Sequence, residues 1–209
     1  MLDTFLTRAG SASDDALTAV ARGLHRSGVT PNGLTYTALA SGLVAALLFY
    51  CDRGWWAYAL VLLSGLLDAV DGRVARMGPG PTVWGGVLDL LCDRVVEAAL
   101  LLGIAVPHPD WHLPALVLAA TWYVNISVFL VIGAASDKVS AKVIDYPPGL
   151  LERSELLIFA FIVVAFPVLV PAVAYLYAVL EVVTAAQRFR YGRRMLRTEM
   201  TPPPASAMQ

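Results

Sequence analysis

The chain has 209 residues, 58% of them hydrophobic and only 15% charged, with a mean hydropathy of +0.67. A soluble domain of this size carries nearer a quarter charged residues, so the composition excludes an ordinary water-soluble globule and indicates an all-α integral membrane protein. The formal net charge of −1 identifies no partner, and no nucleic acid is expected among its partners.

Residues 1–33 are polar and mixed, so no cleavable signal peptide is expected there. Within them, 13–27 (SDDALTAVARGLHRS) read as an amphipathic helix. Leu17, Val20, Ala21 and Leu24 recur at three to four, and Arg22 and Arg26 lie off that face. Such a helix suits the membrane surface; a solvated cap is the alternative. Crossing a bilayer takes about 20 apolar residues. Six stretches are candidate spans, near 34–51, 55–76, 83–106, 113–135, 154–168 and 170–190. Pro167 and Pro171 divide the last two, since proline removes a helix hydrogen bond and clashes with the preceding turn. The expected architecture is six transmembrane helices over 34–191 with an N-terminal amphipathic surface helix, then a basic, disordered tail over 192–209. Cys51 and Cys92 form no CxxC pattern and read as packing residues.

Basic residues give the orientation. With six spans, Arg8, Arg22, Arg26, Arg73, Arg76, Lys138, Lys142, Arg153, Arg188, Arg190, Arg193, Arg194 and Arg197 share one side, and Arg53 faces the other. The positive-inside rule places both termini in the cytoplasm, in a multi-pass protein of the cytoplasmic membrane.

Spans two and three carry four aspartates on either side of the turn MGPGPT. Asp71 lies nine residues before Gly80 and Asp89 nine after it; Asp68 and Asp93 lie 12 before and 13 after. In an antiparallel helix pair, residues equidistant from the turn meet at one depth, here about 13 Å from the turn. Asp68 and Asp71 share a face at i, i+3, and Asp89 and Asp93 at i, i+4. One charge at the bilayer centre costs about 2.5–3.5 kcal/mol, so four convergent carboxylates need counter-ions. An all-oxygen donor set suits Mg²⁺, Mn²⁺ or Ca²⁺. The alternative is salt bridging to Arg73, Arg76 and Arg94. Gly72, Gly85 and Gly86 allow a ligand close to the backbone, with close helix packing as the alternative for Gly86.

The pattern Asp68-x2-Asp71-Gly72-x2-Ala75-Arg76-x8-Gly85-x3-Asp89-x3-Asp93 matches in full the signature of the CDP-alcohol phosphatidyltransferases. ARGLHRSGVTPNGLT (21–35), GGVLDLLCDR (85–94), LLERSE (150–155) and AQRF (186–189) resemble its bacterial phosphatidylinositol-phosphate synthase branch. The resemblance implies a homodimer that transfers a phosphatidyl group from a CDP-linked lipid to an alcohol and releases CMP. It implies Asp68, Asp71, Asp89 and Asp93 at two Mg²⁺ or Mn²⁺ ions, with Asp93 also the general base. It places Asn32, Thr35, Gly72, Arg76, Thr82 and Gly85 at the CDP part of the lipid. Two cations on a pyrophosphate would neutralise it as the P–O bond breaks.

A phosphorylated acceptor, such as inositol phosphate or glycerol phosphate, needs cations outside the metal site. Arg153 and Arg188 are the candidates, with Lys138 a weaker one; anchoring by positive-inside arginine is the alternative. The region 133–155 departs from the branch: it keeps lysines but lacks the branch's Lys-x-Arg pair, and Leu156 replaces an expected arginine. Glu97 and Glu181, within spans, suit either an arginine partner or a polar cavity. Two rival functions remain. A cation transporter also uses intramembrane carboxylates, although the chain shows no internal repeat. An aspartate-rich prenyltransferase shares the carboxylate–metal–pyrophosphate chemistry, but draws its acidic motifs from separated helices.

Overall fold

The computed structural model describes residues 2–136 and 153–199, with side chains over 14–135 and 156–196. The 137–152 stretch with Lys138 and Lys142, the Arg153 side chain and the tail 200–209 lie outside the described residues. Seven α-helices carry the described chain: α1 (Leu2–Arg26), α2 (Pro31–Tyr50), α3 (Gly54–Met77), α4 (Val83–Ala105), α5 (His112–Ser136), α6 (Arg153–Ala165) and α7 (Val170–Glu199). There is no strand among the described residues. Each of the six expected stretches falls on one of α2 to α7. Three helical runs are long and apolar enough to cross a membrane, at Pro31–Tyr50, Pro109–Ala135 and Pro167–Leu196. The charged residues of α3 and α4 dilute their apolar character, and the apolar part of α6 is only Leu156–Ala165.

Two compact units divide the chain: Met1–Pro109 with Val163–Ala165, and Asp110–Ile162 with Phe166–Gln209. In the first, α2 packs against both α3 and α4. Small residues set the closeness of that packing. A Cβ on Gly103 would run into the Ala46 carbonyl, and one on Gly42 would lie 2.6 Å from Val96. Ser64 on α3 donates to the Ala38 carbonyl of α2 at 2.8 Å. Each such contact satisfies a polar group within an otherwise apolar interior.

Helix α1 is longer than the amphipathic stretch read at 13–27, beginning at Leu2. Its apolar face packs on α3: Ala21 joins Leu34, Val70 and Val74 in one buried cluster, flanked by Leu17 and Leu24. Val20, on the edge of that face, is exposed. Arg73 reaches from α3 to Asp14 of α1 and also donates to the Ala69 carbonyl. Arg94 pairs with Glu97 on its own helix at 2.6 Å. Arg73 therefore holds a carboxylate outside the four aspartates, while Arg94 pairs with Glu97 and also acts on Asp93.

The turns explain why the helices stop where they do. Gly28 (φ +75°) and Gly80 (φ +103°) occupy the left-handed region that favours glycine. After each glycine a threonine caps the next helix. Thr30 accepts from Gly33 N–H at 3.2 Å, with Pro31 at the first helical position, and Thr82 accepts from Gly85 N–H at 3.0 Å.

In the second unit α5 packs along α7. Tyr177 meets Trp122 edge-on at 5.9 Å and Phe159 at 6.0 Å. A short turn of 3₁₀ helix at Pro167–Leu169 leads into α7, the break expected from the paired prolines.

Candidate functional site

The α3–α4 hairpin brings carboxylates from both helices together. One oxygen each of Asp68, Asp71 and Asp89 lies within 4.8 Å of the others. Asp93 falls outside this group. Four residues along a helix is about 40° more than one full turn and about 6 Å further along the axis, so Asp93 is offset from Asp89 in depth and angle. It remains in the electrostatic field of Asp89, Arg94 and Asp71.

Asp71 is buried, and one of its oxygens accepts from the Thr35 hydroxyl at 2.6 Å. Thr35 is buried too, so α2 holds the α3 carboxylate in place. Asp89 differs: its Oδ1 is buried with no hydrogen-bond partner. A buried acceptor left unsatisfied costs about 1–3 kcal/mol, and more when charged. A divalent cation between the three carboxylates removes that cost, and an all-oxygen donor set fits Mg²⁺ or Mn²⁺. The residues present therefore fit a metal.

Beside the cluster is a cavity of about 630 Å³ whose walls include Asp71 and Asp89. All six residues expected at the CDP part, Asn32, Thr35, Gly72, Arg76, Thr82 and Gly85, line it. The N-termini of α2 (Thr30 to Asn32) and α4 (Thr82, Gly85 and Gly86) both open onto it. Helix N-termini present unpaired N–H groups and positive dipole ends, a setting that attracts anions. The walls thus combine acidic side chains able to hold cations with backbone and Arg76 groups able to hold phosphate.

The glycines keep this space open. A side chain at Gly85 would press on Thr82 Oγ1 at 3.1 Å and face Asn32 Oδ1 at 3.7 Å. One at Gly72 would meet the Arg76 guanidinium at 3.6 Å. A Cβ at Gly86 meets nothing within 4 Å, so close helix packing is not what this glycine provides here. His25 lines the cavity as well and was not singled out from the sequence. Its signal was its position just ahead of the Gly28 turn and the Thr30-Pro31-Asn32 cap.

Of the acceptor candidates, Arg188 belongs to the second unit, on α7. It donates to Asn125 Oδ1 at 2.9 Å and lies over the Phe129 ring at 5.4 Å. Glu97 pairs with Arg94, and Glu181 accepts from Asn125.

The chain is similar to known proteins along most of its length. The family model described as CDP-alcohol phosphatidyltransferase matches residues 28–187. An archaetidylinositol phosphate synthase of Pyrococcus horikoshii is 30% identical over 181 residues, covering 86% of this chain and 92% of the relative. A phosphatidylinositol phosphate synthase of Mycobacteroides abscessus is 33% identical, covering 81% of this chain and 80% of that one. Among solved structures, the Mycobacterium tuberculosis phosphatidylinositol phosphate synthase with CDP-DAG bound superposes with a TM-score of 0.67 at 28% identity, covering 90% of this chain and 96% of that one. The same enzyme in complex with manganese and citrate gives a TM-score of 0.68.

Proposed function

The chain belongs to the CDP-alcohol phosphatidyltransferase family, a membrane-protein transferase of phospholipid biosynthesis, and from there we propose that it transfers a phosphatidyl group from a CDP-linked lipid to a small phosphorylated polyol. The observation that carries the reading is the Asp68, Asp71 and Asp89 group, with its unsatisfied Asp89 oxygen, beside a cavity rimmed by two helix N-termini. The donor's cytidine and phosphates occupy that cavity, held by Asn32, Arg76 and the amides above Thr30 and Thr82. Asp68, Asp71 and Asp89, with Asp93, hold two ions, Mg²⁺ or Mn²⁺. When bound, the cations neutralise the pyrophosphate and stabilise charge on the leaving CMP.

Asp93 takes the proton of the acceptor hydroxyl as its oxygen attacks the phosphorus bearing the lipid. A P–O bond to the acceptor forms, the P–O bond to CMP breaks, and CMP leaves with the former bridging oxygen. Lys138, Arg153 and Arg188 supply cations for the acceptor's phosphate. The relatives' names support inositol phosphate as the first acceptor to test. The active form is a homodimer, α2 to α7 span the cytoplasmic membrane with both termini inside, and α1 lies along its surface.

The test incubates the purified full chain with CDP-diacylglycerol, Mg²⁺ or Mn²⁺, and inositol phosphate, glycerol phosphate, inositol or serine. CMP release with a phosphorylated acceptor, abolished by EDTA and restored by excess cation, is expected. No CMP with any acceptor overturns the proposal, leaving cation flux in vesicles and prenyl transfer as the readings to measure next.

A further inference from the structure

The walls of the donor cavity are not drawn from α2 to α4 alone. The last turn of α1 adds His25, within the same compact unit as the carboxylates. A Schellman closure fixes where this turn ends. Val29 N–H donates to the Leu24 carbonyl and Gly28 N–H to the His25 carbonyl, both at 3.1 Å, and Leu24 and Val29 pack on the Ala21 cluster. The imidazole then lies against the end of α3: its Cε1 is 3.7 Å from where a Cβ on Gly78 would stand.

Neither packing nor anchoring accounts for this side chain. The apolar grip of α1 on α3 belongs to Ala21, Leu17 and Leu24. Arg22 and Arg26, exposed like His25, suit the membrane surface and stay outside the cavity wall. Among the described residues, no hydrogen bond or ion pair holds the His25 ring.

The carboxylates give the cavity a direction. Cations at Asp71 and Asp89 draw the pyrophosphate to that end, so the cytidine extends toward the turns at 28–31 and 78–82. Those turns offer few donors. Pro31, Pro79 and Pro81 have no N–H. The Thr30 and Thr82 oxygens cap their helices. Arg76 leans on Gly72, next to Asp71, and Asn32 faces Gly85, one turn before Asp89. Beside Gly78, the imidazole is the side-chain nitrogen donor at hand. It carries at least one N–H whether neutral or protonated, and cytosine presents two acceptors, N3 and O2.

We propose that His25 recognises the donor, its ring N–H bonding the cytosine base of the CDP-linked lipid. This rests on the reading that the cavity takes the donor's nucleotide, and the experiment separates the two. The purified full chain makes lipid from CDP-diacylglycerol and inositol phosphate with Mn²⁺, with CMP or ribose 5-phosphate as inhibitor; these two differ only in the base. His25→Ala raises the donor KM and weakens CMP inhibition, each by about tenfold, the scale of one hydrogen bond. Ribose 5-phosphate inhibition and the acceptor KM stay within about twofold of the parent. His25→Gln keeps an N–H and holds CMP more tightly than His25→Phe, which keeps a ring without a donor.

Unchanged CMP inhibition in His25→Ala overturns the proposal. So does equal weakening of CMP and ribose 5-phosphate, which marks a phosphate contact or a slackened wall. Should His25→Ala fail to fold, the other pair decides: His25→Phe holding CMP as well as His25→Gln overturns the proposal. If the parent chain makes no lipid and is not inhibited by CMP, the underlying reading falls and this one with it. If the parent is active and the His25 variants match it, only the role of His25 falls.

Discussion

Replacing Thr35 with valine keeps the shape of the side chain and removes one hydroxyl. That hydroxyl has a single proton and two acceptors in reach, Asp71 Oδ2 at 2.6 Å and the Pro31 carbonyl at 3.2 Å. The nearer, charged acceptor claims it. Thr35 is 6% exposed and Asp71 8%, so water does not readily replace the lost bond. A hydrogen bond to a charged group contributes about 1.5–3 kcal/mol. At about 1.4 kcal/mol per tenfold, Thr35→Val weakens divalent-cation binding by about ten- to a hundredfold, the range typical of lost partners behind a metal ligand. The assay is CMP release against Mn²⁺ concentration at saturating donor, paired with direct Mn²⁺ titration of the detergent-solubilised chain. Thr35→Ser retains the hydroxyl and stays near the parent. If Thr35→Val shifts the donor KM and leaves the Mn²⁺ half-saturation unmoved, the reasoning is refuted, and Thr35 acts on the nucleotide instead.

Asp93→Asn keeps CDP-lipid binding, measured by equilibrium dialysis, and loses turnover by about a hundredfold or more, the span typical of a positioned base; an active variant removes Asp93 from that role. Gly103→Val drives a branched side chain into the Ala46 backbone, which cannot rotate aside as a side chain can. Overpacking of this kind costs about 1–3 kcal/mol, so the melting temperature in detergent falls by several degrees; no change would mean that α2 and α4 do not approach as described.

The hairpin was legible because two kinds of regularity met in it: glycine and proline at the turn, and acidic residues at matched distances on either side. Depth matching places Asp71 opposite Asp89, and the structure groups these two with Asp68. It is coarser than helix geometry, which also rotates each side chain, and it does not resolve how far Asp93, one turn beyond Asp89, is offset from the other three. The helices were readable from hydropathy, although α1 reaches back to Leu2 through residues too mixed to show a periodicity. Thr35 was read as a nucleotide contact; its bond to Asp71 joins residues 36 apart, a pairing that no local pattern reveals. Asn125 passed unnoticed because a single amide barely alters the hydropathy of α5, and its partner Glu181 was left open between an arginine and a cavity.

Because the carboxylates of Asp68 and Asp71 come from one helix and that of Asp89 from the next, closing the hairpin and capturing a dication are one equilibrium seen from opposite ends. Mutual repulsion works against closure until the ion arrives, and the ion finds its full coordination only once the helices have met. Chelation should therefore soften this part of the molecule as well as silence it, and a substitution that loosens the seating of α3 or α4 on α2, far from any aspartate, should register first as a thirst for more metal.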